Sequence, residues 1–209
     1  MSTNRIFATL AAALFSLSVS AQDAKQGLDA TFADVESRVI EWRHDLHQHP
    51  ELSNREFRTA GIVADHMRDL GFDEVHTEIA HTGVVGVLVG GQPGPVVALR
   101  ADMDGLPVLE QTGVPFASTA KGEYNGQEVP VMHACGHDTH VAMLMGAAEV
   151  LARHRDDIRG TVKFIFQPAE EGPPAGEDGG ARMMIAEGVL GGAHAPEAIL
   201  GLHAWPGDT

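Results

Sequence analysis

Short apolar runs fenced by glycine and proline alternate with stretches of helical period along this 209-residue chain, and that alternation constrains the fold most. Val84 to Val89 and Val96 to Leu99 are Val-rich runs bounded by Gly83, Gly90, Gly91, Pro93 and Gly94, which predicts two buried strands joined by a tight turn. Thr161 to Phe166 and Ala198 to Leu202 read the same way. Between them, Val141, Leu144, Met145, Ala148 and Leu151 fall on one face of a helix predicted from Thr139 to Arg153. Two more helices are predicted upstream, from Asp29 to His49, ended by Pro50, and from Arg55 to Leu70, capped by Gly71. Buried strands alternating with helices imply an α/β fold, a mixed and mostly parallel sheet with helices on both faces. The Gly/Pro-rich piece from Gly172 to Gly180 reads as a loop.

Composition narrows the function. Lys and Arg total 14 against 29 Asp and Glu, a formal net charge of -15, and no basic run exists to neutralise phosphates, so nucleic acid is not an expected partner. The one cysteine, Cys135, has no internal disulfide partner. Twelve histidines against one tyrosine hint at metal chemistry. At the N-terminus, Arg5 precedes a mostly apolar run from Ile6 to Val19 that ends in Val19-Ser20-Ala21, the pattern of a cleaved secretory signal over residues 1–21. The run is shorter than the roughly 20 residues a spanning helix needs, so a periplasmic or secreted product without a stable membrane anchor is expected, with residues 22–209 as its globular part.

The chemistry-bearing residues lie at strand ends and at the start of the long helix. His133-Ala134-Cys135-Gly136-His137-Asp138-Thr139-His140 puts three imidazoles, a thiol and a carboxylate into eight positions. A thiolate and an imidazole two residues apart can turn toward one cation, with the helix N-terminus favouring deprotonated Cys135. Burying so many polar groups without partners would be costly. Glu170 and Glu171 directly follow the third strand; alone they would read as a solvated acidic turn, but beside a Cys/His cluster one can ligate metal while the other reaches the water that metal activates. Asp102 and Asp104 end the second strand, where they could ligate, hold an imidazole from behind, or serve an ordinary Asp-Gly turn. His203 ends the last strand on the rim where such sheets gather their sites. His44, His47 and His49 read instead as helix-face residues.

The strings RHDLHQHPELSNRE, ALRADMDGLP, MHACGHDTHVAMLMGAA, FIFQPAEEGPP and LGLHAWPG, in this order, resemble the hippurate hydrolase or N-acyl-amino-acid amidohydrolase branch of the aminoacylase and carboxypeptidase metallohydrolases. The resemblance covers Val39 to Gly207. It implies a zinc-exopeptidase-like catalytic domain holding two divalent ions, with Cys135, His137, Glu171 and His203 as ligands. Glu170 would be the general base and Asp104 the aspartate behind the site. Thiolate favours zinc, while imidazole and carboxylate also accept manganese, cobalt or nickel. The implied substrates are N-acyl amino acids, hippurate-like, or short peptides. Members of the family carry a further histidine ligand near their C-terminus and an inserted dimerisation or lid domain, which pairs full-length relatives as homodimers. Neither lies within these 209 residues, so the expectation is the N-terminal part of a catalytic domain, truncated before that insertion. Two other readings stand beside it: an inactive metal-binding relative, and a hydrolase using Cys135 as nucleophile with His137 or His133 as base.

Overall fold

The apolar spacings that predict the N-terminal helices produce them. In the computed structural model, which describes residues 27–205, helix α1 occupies 27–48 and α2 occupies Phe57–Asp69. The turn after α2 closes as expected: Gly71 takes φ 73, its N–H reaches Arg68 O at 3.0 Å, and the Phe72 N–H reaches Met67 O at 3.2 Å. The signal-like residues 1–21 lie outside the described residues. Among the described residues no helix is long and apolar enough to cross a membrane.

A five-stranded sheet follows, built from β1 (Glu74–Ile79), β2 (Gly83–Val89), β3 (Gln92–Asp102), β6 (Arg159–Gln167) and β7 (Ala198–Gly201) in the spatial order β1-β2-β6-β3-β7. β2 pairs antiparallel with both β1 and β6, whereas β3 pairs parallel with β6 and β7. Only β2 therefore runs against the other four, and the expected mixed, mostly parallel sheet is what forms. A separate hairpin of β4 (Lys121–Tyr124) and β5 (Gln127–Pro130) turns through Asn125 (φ 52) and Gly126 (φ 77), both in the left-handed region that a two-residue hairpin turn requires.

One sequence expectation needs correction. β2 and β3 are joined through Gly90 and Gly91, yet they are not neighbours, because β6 lies between them. The connection crosses the start of β6, with Gly90 N–H bonded to Gly160 O at 2.9 Å and Gln92 N–H to Ile158 O at 3.2 Å. Backbones pass too closely there for side chains. A Cβ on Gly90 would lie 2.4 Å from Ile158 O, and one on Gly160, which adopts φ +98, would lie 2.0 Å from Pro95 O.

Alternation along β6 sorts the two layers. Phe164 and Phe166 turn toward α1, α2 and α3 (His137–Arg153), joining Leu46, Met67 and Met145 in the main core. Complete burial of each phenylalanine contributes about 1.5–3 kcal/mol. Ile165 turns the other way, against Val85, Ala98 and Met184 of the short helix α4 (Gly180–Ala186). Helices thus lie on both faces. The parallel strands β6, β3 and β7 end on one rim, beside the start of α3.

Candidate metal centre

That rim brings together groups far apart in the chain. β6 runs into Glu170 and Glu171, β3 into Asp102 and Asp104, β7 into His203, and α3 begins immediately after Cys135. Gly136 at the start of α3 takes φ 89, and a Cβ there would press against Ala204 at 3.0 Å, so a glycine lets the Cys135 loop and the His203 segment meet.

His137 sits at the middle of the cluster and is fully buried. Its Nδ1–H donates to Asp104 O at 2.8 Å, which leaves the Nε2 lone pair facing inward. Nε2 has no hydrogen-bond partner, although Asp102 Oδ2 stands 3.6 Å away, Glu170 Oε2 3.7 Å and Glu171 Oε1 3.9 Å. His203 repeats the arrangement: its Nδ1–H donates to Ala204 O at 2.7 Å, and Nε2 is 3.5 Å from Cys135 Sγ. A backbone carbonyl on one ring nitrogen with the other turned toward the cluster is how a metal-ligating imidazole is oriented.

The ligand atoms fall into three overlapping sets, each within 4.8 Å: Cys135, His137 and His203; His137, Glu170 and Glu171; and Asp102, His137 and His140. All four residues expected as ligands, Cys135, His137, Glu171 and His203, are thus brought together, and so is Glu170. A buried imidazole nitrogen left unpaired costs about 1–3 kcal/mol, and donation of that lone pair to a cation removes the cost. Sulfur, two imidazole nitrogens and carboxylate oxygens form a donor set suited to zinc and its neighbours, so the residues present fit a divalent metal.

Electrostatics point the same way. Burial opposes protonation of His137, but the Asp104, Asp102 and Glu171 carboxylates outweigh it and raise its pKa. Burial, then Glu171, Glu170 and Asp102, push the Cys135 thiol up to about 11. The helix N-terminus alone therefore does not yield the thiolate expected from sequence, because burial and the nearby Glu171, Glu170 and Asp102 carboxylates oppose it; a cation among them is what would deprotonate it.

Asp104 stands behind the cluster, its carboxylate accepting Ser53 Oγ–H at 2.7 Å and the backbone N–H groups of Glu170 and Glu171 at 3.0 Å each. Asp102, not singled out over Asp104 in the sequence, is the aspartate on the Nε2 side of His137, whereas Asp104 stands on its Nδ1 side with Oδ1 at 3.3 Å. Asp102 is fully buried, accepts from His140 Nδ1 and from the Arg100 guanidinium at 2.6 Å each, and is held at about 2 because His140, His137 and Arg100 overcome the effect of burial. The shared parity of Arg100 and Asp102 on β3 was the available signal. His140 Nε2 accepts the Ala204 N–H at 2.7 Å, so its lone pair is used and it serves to hold the His203 segment. His133 is buried with both nitrogens unpartnered, and burial lowers it to about 4. Among the helix-face histidines, His47 is buried between Asp138 Oδ2 at 2.9 Å and Glu110 Oε1 at 3.0 Å, while His44 stacks on Phe116.

The sequence profile described as Peptidase family M20/M25/M40 matches residues 98–209, which contain every one of the expected ligands. The chain belongs to that family. It is 44% identical over 181 residues to thermostable carboxypeptidase 1 of Saccharolobus solfataricus, covering 87% of this chain and 42% of that protein. It is 43% identical over 184 residues to the N-acyl-L-amino acid amidohydrolase of Geobacillus stearothermophilus, covering 87% of this chain and 45% of the relative. Among solved M20 structures, the YXEP protein of Bacillus subtilis, described as a dinuclear metal binding peptidase, superposes with a TM-score of 0.70 at 40% identity over 83% of this chain and 44% of the other. The chain thus spans less than half the length of these M20 relatives.

Proposed function

We propose that this chain carries the metal-binding core of an M20 amidohydrolase or carboxypeptidase that cleaves the amide bond of N-acyl amino acids, hippurate-like ones included, or of short peptides. Two divalent ions, zinc, manganese, cobalt or nickel, would be held by Cys135, His137, Glu171 and His203. The observation that carries this reading is the buried, unpartnered Nε2 of His137, ringed by a thiol, a second imidazole nitrogen and two glutamates. The M20 relatives named as an amidohydrolase and a carboxypeptidase, and the dinuclear neighbour, support it.

A bound ion pair supplies an activated water, its pKa lowered toward about 7, and polarises the scissile carbonyl. The protein's own groups do the rest. Glu171 contacts the Cys135 thiol and stands by His137, which suits a ligand. Glu170 leaves the same turn with its carboxylate free to accept a proton from water and return it to the departing amine, the work of a general base and then acid. Asp104 fixes both glutamates by their backbone. The net charge of -15 suits small-molecule partners and not nucleic acid. The pattern over residues 1–21 supports export to the periplasm or medium, and self-association belongs to the full-length protein by resemblance.

The 3.5 Å approach of His203 Nε2 to Cys135 Sγ is also the contact a thiol nucleophile and its base would make. Chelation separates the two. Activity on a panel of N-acyl amino acids should vanish with EDTA and return with divalent metal, and Cys135 in the metal-loaded protein should resist alkylation. Chelator-insensitive activity abolished by alkylation would overturn the metal reading.

A further inference from the structure

The string around Ser53 to Glu56 contributes to the family resemblance, yet the proposed chemistry assigns it no part. It braces the turn that carries both glutamates. Glu56 is fully buried; its Oε1 accepts the Ala169 N–H at 2.8 Å and its Oε2 accepts the Thr82 hydroxyl at 2.5 Å. Three successive backbone N–H groups, those of Ala169, Glu170 and Glu171, therefore end on two buried carboxylates, Glu56 and Asp104, and Asp104 is itself held by Ser53.

Ala169 needs this support. It adopts φ 47, the left-handed region, which costs an L-residue roughly 1–2 kcal/mol and persists only when its surroundings over-determine it. That one residue sets the direction in which the next two side chains leave β6. The buried Glu56 oxygen is a fixed acceptor for the Ala169 amide, so the bond restrains the backbone at this turn.

We propose that Glu56 is a positioning residue for the metal centre: by holding the Ala169 amide it aims Glu170 and Glu171 at the space beside His137. Its consequence for metal affinity rests on the metal-centre reading above. Glu56 touches no expected ligand and acts only through the turn.

The test compares Glu56→Met, which keeps the volume and removes the acceptor, with Glu56→Gln, whose amide oxygen still accepts the Ala169 N–H while Thr82 turns its hydroxyl. Cobalt titration of the metal-free full chain gives the dissociation constant, with folding checked by circular dichroism. Loss of a group that orients ligands from behind typically costs 10- to 100-fold in metal affinity, so Glu56→Met should weaken cobalt binding by about that factor and Glu56→Gln should restore it. Glu149→Gln, at another buried carboxylate held by Arg38 and Arg153 far from the turn, should leave cobalt affinity unchanged. Unchanged affinity in folded Glu56→Met, an equal loss in Glu56→Gln, or an equal loss in Glu149→Gln overturns the proposal. Should Glu56→Met not fold, amide hydrogen exchange of the wild type decides: the amides of Ala169 to Glu171 should be strongly protected although they lie beyond β6, and free exchange there refutes the brace. A wild type that binds no cobalt but keeps this protection refutes the metal reading alone.

Discussion

Asp104 holds Glu171 by its backbone: the carboxylate accepts the Glu171 N–H at 3.0 Å, and its other oxygen takes the Glu170 N–H at the same distance. The aspartate behind the site thus acts on the turn between the strand and the glutamates. Asn at this position keeps one acceptor and presents an amide donor to one of the two N–H groups. Asp104→Asn should lower metal affinity or kcat/KM by about 10- to 100-fold in a folded chain. Isothermal titration with metal and steady-state kinetics check this; wild-type values in both would remove Asp104 from the account.

The two glutamates should separate by phenotype. Glu170→Gln loses the proton acceptor and should reduce kcat by roughly 10² to 10⁴ while metal content stays near wild type. Glu171→Gln should instead lose metal on dialysis. Elemental analysis of the two purified variants decides, and metal loss confined to the Glu170 variant would reverse the roles.

Gly160 tests the strand crossing. Its φ of +98 and the 2.0 Å approach that a Cβ would make to Pro95 O leave no room for a methyl group. Gly160→Ala should destabilise the fold by more than about 2 kcal/mol, read from the denaturant midpoint. A shift near zero would mean that β6 does not lie between β2 and β3.

Glu56 gives stability a defined pH dependence. Burial raises its carboxyl from 4.5 to about 7, with Asp104 adding to the rise and the Thr82 and Ala169 donors opposing it. The protonated form is the one the fold favours. Its contribution is fully present below pH 4.5, declines as pH rises toward about 7, and is gone above that. Glu56→Gln removes the titration, so its stability relative to wild type should climb across this window by on the order of 3 kcal/mol and then level off. Denaturant melts at several pH values check the slope; a parallel pair of curves would contradict it.

The elements that the sequence makes legible are those whose burial leaves a pattern. β2 and β6 are inside and read as apolar runs, whereas β1 is mostly exposed and carries no such signature. The β4–β5 hairpin is polar, and only its Asn125-Gly126 pair announces it. Strand neighbours were harder, because nothing local says that β6 inserts between two strands joined by two glycines. The candidate cluster is legible because Cys135 and His137 share one short motif and the two glutamates and His203 follow strand ends; the choice of Glu171 over Glu170 as a ligand comes from the family resemblance. Asp102 could be told from Asp104 only once the fold fixed which edge of the His137 ring each one faces. Glu56 closes a string that carries the family resemblance, but nothing local assigns it a role, since its partners Thr82 and Ala169 are distant in sequence.

The central claim is spatial, and anomalous diffraction from a crystal of the zinc-loaded chain, collected at the zinc absorption edge, tests it most directly. The account predicts strong peaks beside His137, with zinc about 2.3 Å from Cys135 Sγ and about 2.0–2.1 Å from the Nε2 atoms of His137 and His203. Peaks elsewhere, or none, with His137 Nε2 still bare at full zinc occupancy in solution, would contradict it.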